Sequence, residues 1–289
     1  MRPSFKPVFR FPAIAALASF VVSVGPAAAQ QRPLVTEDPE SIGAGLVLVE
    51  AGIDYLRDQP FPVSGLTGQF RSAPVLGISI GVSSIAEVQI DGISFAHLAI
   101  TDRRLAPLSH QLRITGDSTG SWMDTSIGAK TRLLAEGARR PGIALRFATK
   151  LPNASNEEGL GLDTIDFYNS LLIGKTMGST RVVANVGLGI LSDPTRGDRQ
   201  NDVLTYGVSV ARAFAEGAEV VAEVAGRRNT RTGTPPPGTD SSGFARFGAR
   251  FTRGTVRLDA ALLSGLTVRD ATLGITAGLT WVFRGLHIP

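Results

Sequence analysis

Cysteine is absent from the 289 residues, which removes disulfide frameworks, thiol nucleophiles and thiolate metal sites together. Charged residues are sparse at 19%, and aromatic residues reach only 7%. Hydrophobic residues make up 43%, yet past the first residues no stretch approaches the roughly 20 unbroken apolar positions of a spanning helix. The apolar content is dispersed in short pieces. A strong excess of positive charge is also lacking. The formal +4 includes Arg2, Lys6 and Arg10 near the start, and without those three about +1 remains for the mature chain. That is too little to argue for nucleic acid.

What is present first is a leader. Arg2, Lys6 and Arg10 form a basic n-region, residues 11–24 an apolar core, and Ala27-Ala28-Ala29 a small-residue cleavage site. The chain therefore divides into a signal peptide over residues 1–29, an N-terminal periplasmic segment over 30–45 and an outer-membrane β-barrel over 46–289. The segment is polar and carries Glu37, Asp38 and Glu40.

From Leu46 onward, pieces of about ten residues alternate in polarity between turn-rich links, the dyad pattern of barrel strands. The last piece states it best. Leu273, Ile275, Ala277, Leu279, Trp281 and Phe283 share one face of an extended chain, and Gly274, Thr276, Gly278 and Thr280 share the other. Residues 47–55, 76–83, 86–91, 126–133, 143–151, 181–190 and 245–251 repeat the pattern, and further strands are expected over 163–176, 203–212, 218–228 and 255–265. The count is about twelve, an even number as in bacterial barrels. Asn169 interrupts the apolar face of 163–176, which suggests a β-bulge there. Links at 83–84, 177–179, 214–217 and 253–254 are tight, whereas 58–69, 92–121, 152–162, 192–202 and 229–242 are long. Short turns at one end and long loops at the other match periplasmic turns and extracellular loops. The fold expected is all-β, a transmembrane antiparallel up-and-down barrel. In hydrocarbon only a closed ladder satisfies every backbone group, and the surrounding lipid takes the place of any other core. Trp281, Phe283, Phe251 and Phe214 at one end, with Tyr55 and Trp122 at the other, are placed for interfacial girdles.

The charges on the polar face are the candidate site. Glu50, Asp54, Glu87, Asp91, Glu219, Glu223 and Asp259 are acidic, joined by Asp124 and Asp166. Lys130, Arg132, Arg146, Lys150, Arg181, Arg246, Arg250 and Arg257 are basic, joined by Arg227. Opposite charges across a narrow lumen pair, because an unpaired one there is costly. Such a network both fills the interior and sets a constriction for permeating solutes. Glu37, Asp38 and Glu40 stand close in sequence to the first strand, so the segment that carries them is expected to fold into the mouth as a small plug on luminal arginines.

Other chemistry finds little support. His97 and His110 lie near Ser94 and Ser109, but adjacent residues of an extended chain point apart, so no catalytic residue is assigned. Asp117 with Asp124, and Asp193 with Asp198 and Asp202, fit no calcium-loop spacing, and neither metal nor cofactor is expected.

The stretch Arg32-Pro33-Leu34-Val35-Thr36-Glu37-Asp38-Pro39 resembles the opening of a bacterial outer-membrane barrel family described as the phenol-degradation meta-pathway outer-membrane protein, or transporter. Gly116-Asp117-Ser118-Thr119-Gly120, Ser126-Ile127-Gly128-Ala129-Lys130 and Lys150-Leu151-Pro152 are similar too. The resemblance implies a twelve-strand type of barrel and passage of small hydrophobic or aromatic compounds, with no substrate residue to carry over. The last strand, with Phe283, is similar to the C-terminal signal read by the barrel-assembly machinery, although Arg284 to Pro289 follow it. The expected function is a monomeric channel or transporter for small solutes, in contact with outer-membrane lipid and lipopolysaccharide. Its rival is a non-conducting barrel with a structural or adhesive role.

Overall fold

A computed structural model describes residues 32–286; the leader with its cleavage site, and His287, lie outside the described residues. Thirteen strands follow in sequence order. β1 (Leu46–Phe61), β2 (Leu66–Gly81) and β3 (Ala86–Arg103) are the longest group. β4 (Ser118–Trp122) and β5 (Ser126–Leu134) then occupy one position in the wall, pairing with the upper and lower parts of β3. β6 (Gly142–Lys150), β7 (Asp166–Met177), β8 (Thr180–Ser192) and β9 (Gln200–Ala215) continue the meander. β10 (Ala218–Asn229), β11 (Ser242–Arg253), β12 (Val256–Gly265) and β13 (Leu273–Arg284) complete it. β1 pairs with both β2 and β13, and β2 with β3, so the antiparallel sheet closes as a transmembrane barrel of 12 strand positions. No lateral edge is left for lipid to meet.

The two faces are inverted relative to a soluble protein. Outward Ile53, Phe147 and Phe251 are 58%, 58% and 51% exposed, whereas inward Glu87 and Lys130 are 1% exposed. At the short-turn end Trp281 and Phe283 lie 4.3 Å apart between ring centroids, on the outside. At the long-loop end Phe95 and Trp122 meet edge to face at 5.7 Å.

Three sequence expectations are corrected. Residues 58–69 and 92–121 are not long loops: β1 reaches Phe61, β2 starts at Leu66, and β3 runs to Arg103 before β4 begins at Ser118. The pattern hid this because β3 changes parity. Glu87, Gln89 and Asp91 face inward, Gly92 takes a φ of +80°, and from there Ser94, Ala96 and Leu98 are the buried set. A bulge inserts one residue and exchanges the faces. The bulge expected at Asn169 does not exist, since β7 keeps an unbroken register with β6 and β8; the irregularities lie instead around Gly52, Leu56, Thr67, Ser72 and Leu76, with single shifts at Arg132 and Ala218. Nor is lipid the sole substitute for a core. Leu66, Phe70, Ala96, Leu98 and Leu160 form a buried apolar cluster at the long-loop end, packed on by Phe61, Leu112, Ile114 and Met123. There β1–β3 rise past the charged part of the lumen, and the loops fold onto their inner face.

Candidate functional site in the lumen

Residues 32–45 do not trail away from β1 but cross the barrel interior. Arg32 donates through Nη2 to Thr276 Oγ1 and to the Ala277 carbonyl, both at 2.9 Å, and its backbone amide donates to Glu50 at 3.2 Å. The amides of Val35 and Thr36 donate to the Glu223 carboxylate on β10. Asn185 on β8 clamps the backbone of Glu37, accepting from its amide at 2.7 Å and donating to its carbonyl at 2.8 Å. The amide of Ile42 donates to Glu87 at 2.8 Å on the return to β1.

The three carboxylates of this segment are all taken up by wall cations. Glu37 pairs with Arg146 at 2.6 Å and Lys130 at 3.3 Å, and accepts from the Gln89 side chain. Asp38 receives the Arg181 guanidinium, with Nη2 at 2.6 Å, while its carbonyl accepts from Lys130 at 3.0 Å. Glu40 pairs with Arg132 at 2.5 Å. Burial alone would raise the Glu37 pKa; the Arg146 and Lys130 charges and the hydrogen bonds outweigh it, leaving the carboxyl below its ordinary 4.5. In the 135–141 turn Glu136 is held down to about 2: modest desolvation opposes, and hydrogen bonds from Lys175, Thr176 and Arg181 prevail.

The wall charges pair among themselves as well. Lys130 reaches Glu87 at 3.0 Å and Arg146 reaches Asp91 at 2.9 Å. Lys150 bridges Asp124 at 2.6 Å and Asp166 at 3.3 Å. Arg246 pairs with Glu223 at 3.0 Å, Arg257 with Glu219 at 3.8 Å, and Arg32 with Asp259 at 3.5 Å. Strand register puts Arg250 directly between Glu219 and Asp259. Asp54 faces inward on β1 but, among the described residues, takes part in no ion pair. Arg227 turns to the loops instead, donating to the Gly238 and Asp240 carbonyls at 2.8 and 3.0 Å. Arg32, Gln89, Asn185 and Glu136 belong to the same network and were not among the sequence candidates. Gln89 stands on the polar face of β3, but an amide carries no formal charge to mark it in the sequence.

Luminal glycines trace the path of the segment. Gly52 and Gly278 pair across β1 and β13, and a side chain on either would overlap the Arg32 guanidinium. A Cβ at Gly207 would come within 2.7 Å of Thr36 Oγ1, and one at Gly174 within 2.9 Å of the Pro39 ring. At Gly81 it would run into the Gly43 carbonyl. Glycine in a strand marks close approach of another chain, and here that chain is the protein's own N-terminal segment.

Space remains on both sides of it. A cavity of about 280 Å³ opens toward the short turns beside Asp38, Arg181, Arg250 and Arg257. Two of about 300 and 230 Å³ lie on the other side and share Val35, Glu37 and Arg146 in their walls. Above them, under the long loops, is a vestibule of about 380 Å³ lined by Leu56, Phe61, Val63, Phe70, Met123 and Phe244, with Arg227, Asp240 and Asp270 at its rim.

The remaining candidates are elsewhere. His97 stands on the outer face of β3 while Ser94 faces inward, and His110 sits in a single 3-10 turn beside Ser109, whose hydroxyl donates to the Ala106 carbonyl. Asp124 is engaged by Lys150, Asp193 by Arg199 at 2.7 Å, and Asp198 by Arg196 at 3.6 Å.

No family model matches the sequence, and no curated protein matches it. Solved structures do share the fold. An outer membrane channel from Pseudomonas putida F1 superposes with a TM-score of 0.61 at 12% identity, covering 85% of this chain and 98% of that one. The translocator domain of the autotransporter NalP from Neisseria meningitidis gives 0.45 at 11% identity, covering 83% and 89%. The toluene transporter TodX of Pseudomonas putida gives 0.41 at 10%, covering 86% and 92%. At such identities the first likeness is one of architecture alone, that of a closed membrane-spanning β-barrel.

Proposed function

We propose that the protein is an outer-membrane channel for small solutes, oriented with its long loops outside and its short turns in the periplasm, and closed at rest by its own N-terminal segment. The observation that carries this reading is the segment itself. It crosses the lumen on a track of wall glycines, its carboxylates sit on Lys130, Arg132, Arg146 and Arg181, and it leaves cavities on either side rather than a packed core. A barrel that merely needed filling has no use for a detachable filler held by charges at a mouth. The apolar vestibule above it supports small hydrophobic or aromatic solutes, as the family resemblance implies and as the name of the toluene transporter suggests for that barrel. Its volume suits a single-ring compound such as phenol, taken up from outside onto apolar walls with few polar groups to orient it. Partners on this reading are outer-membrane lipid and lipopolysaccharide, the assembly machinery that inserts the barrel, and the solute; the working unit is a monomer.

Single-channel recording in planar bilayers tests it. The intact protein is expected to conduct weakly, and a chain lacking residues 32–41 to conduct several times more. If the shortened barrel inserts, shows heat-modifiable migration and conducts no better, the segment is not the closure. If neither form conducts at all, the rival reading, a structural or adhesive barrel, stands.

A further inference from the structure

The outer surface of β1–β4 carries a feature that permeation does not use. Register sets Tyr55, Arg71 and His97 side by side across β1, β2 and β3. All three point outward and are exposed. The Arg71 guanidinium lies 6.0 Å from the centroid of the Tyr55 ring, and the Tyr55 hydroxyl donates to Gln69 at 2.9 Å. Directly toward the membrane are Ile53, Phe95 and Trp122, exposed by 58%, 41% and 55%. The nearby carboxylates are already engaged, Asp58 by Arg57 at 3.2 Å and Asp102 by Arg104 at 2.6 Å. Arg71 and His97 enter no ion pair among the described residues.

Height matters here. Val47 pairs with Phe283 of the short-turn girdle, and the eight residues from there to Tyr55 climb about 20 Å along the axis at barrel tilt. That places the row near the far edge of an apolar band about 25 Å tall. An arginine and an imidazole are thus held at headgroup level above an aromatic ledge at acyl level. Arg228, at the same end of β10, shows the contrast: its cross-strand neighbour is Leu204, so no imidazole stands beside it.

We infer that this face holds one phosphorylated glycolipid of the outer leaflet, with a lipid A phosphate on Arg71 and His97 and an acyl chain along Ile53, Phe95 and Trp122. Guanidinium is suited to phosphate because it offers paired donors in a plane, while the rings supply apolar area at the interface. The inference rests on the orientation proposed above, in which the long-loop end faces outside.

Native mass spectrometry of the purified, folded barrel reads it directly. Bis-phosphorylated lipid A is expected to remain bound one per barrel, and its dephosphorylated form to bind at least about tenfold more weakly, the value of one charge-assisted contact. Arg71→Glu combined with His97→Ala should lose the same factor, and Arg228→Glu should lose nothing; heat-modifiable migration checks that each variant is folded. Equal retention by the double variant, equal retention of the dephosphorylated lipid, or displacement of the lipid by millimolar inorganic phosphate alone would each overturn the assignment. None of these readings depends on conductance, so the site can fail while the channel stands, and the reverse.

Discussion

The two halves of the lumen are built from opposite chemistries. Toward the short turns the wall is a lattice of charges in which Lys130 is 1% exposed yet touches Glu37 and Glu87. Toward the long loops the same inward face carries Leu56, Phe70, Leu98 and Phe244, and the loops close over them as over a soluble core. The charged half fixes the N-terminal segment in one geometry, since ion pairs are specific in geometry and strongly dependent on every partner being there. The apolar half has shape and little directionality, which suits a solute that must arrive and leave. One half would gate and the other would receive.

If that division is correct, the halves can be broken separately. The largest effect is expected from Lys130→Met. It leaves Glu37 and Glu87 buried without their shared cation, a loss of about 3–5 kcal/mol for a broken buried pair. The segment should then become accessible to added protease and conductance should rise toward that of the shortened chain, while phenol binding in the vestibule stays unchanged. A protected segment in this variant would mean that Arg146 and Arg181 suffice. Next in size is Gly52→Ala. Its methyl group occupies the seat of the Arg32 guanidinium, whose atoms are its nearest neighbours, an overpacking cost of about 1–3 kcal/mol, and it should increase the open probability measured in bilayers without lowering barrel stability by as much. Closed channels of unchanged lifetime would show that Arg32 anchors nothing. The smallest effect is reserved for the other half: Phe61→Ala removes one wall of the vestibule, and with it the ring contact that wall would offer a bound single-ring solute, worth about 1 kcal/mol. Phenol uptake into proteoliposomes should fall roughly fivefold by that measure, with single-channel conductance untouched. A matching fall in conductance would erase the distinction between the halves.

The sequence made the lower barrel easy to read and the upper barrel hard. Over β5–β13 lipid outside and polar lumen inside impose one rule on every strand, so Leu188 outside and Asn185 inside follow from parity alone. Above Gly92 the rule lapses. The bulge exchanges the faces, and the strands there carry a small apolar core on their inner side, so Phe70 and Leu98 look no different from lipid-facing residues. The charged network was legible as a set of inward positions, but not its wiring, because Glu37, Lys130 and Arg146 are joined by contacts that no local pattern encodes. Luminal glycines were visible as small inward residues; that several of them mark the path of another segment could be known only once that segment was in place. Gly187 makes the same point. A side chain there would run into the Asn169 carbonyl on the neighbouring strand, so a luminal position that looks permissive in sequence is not.

The segment runs without a break into β1, with the Gly45 amide donating to the Gly81 carbonyl and the Gly45 carbonyl accepting from Gly285 and Leu286. If the segment is the closure proposed above, its attachment to β1 keeps it from diffusing away, and its return is an intramolecular event at an effective concentration in the millimolar range. The individual contacts of Glu37, Asp38 and Glu40 therefore need only be moderately strong to keep the lumen shut most of the time. Opening on these terms is a flicker whose duration is set by the short tether, and the same residues supplied as a free peptide would have to be present at roughly millimolar concentration to seal a shortened barrel as well.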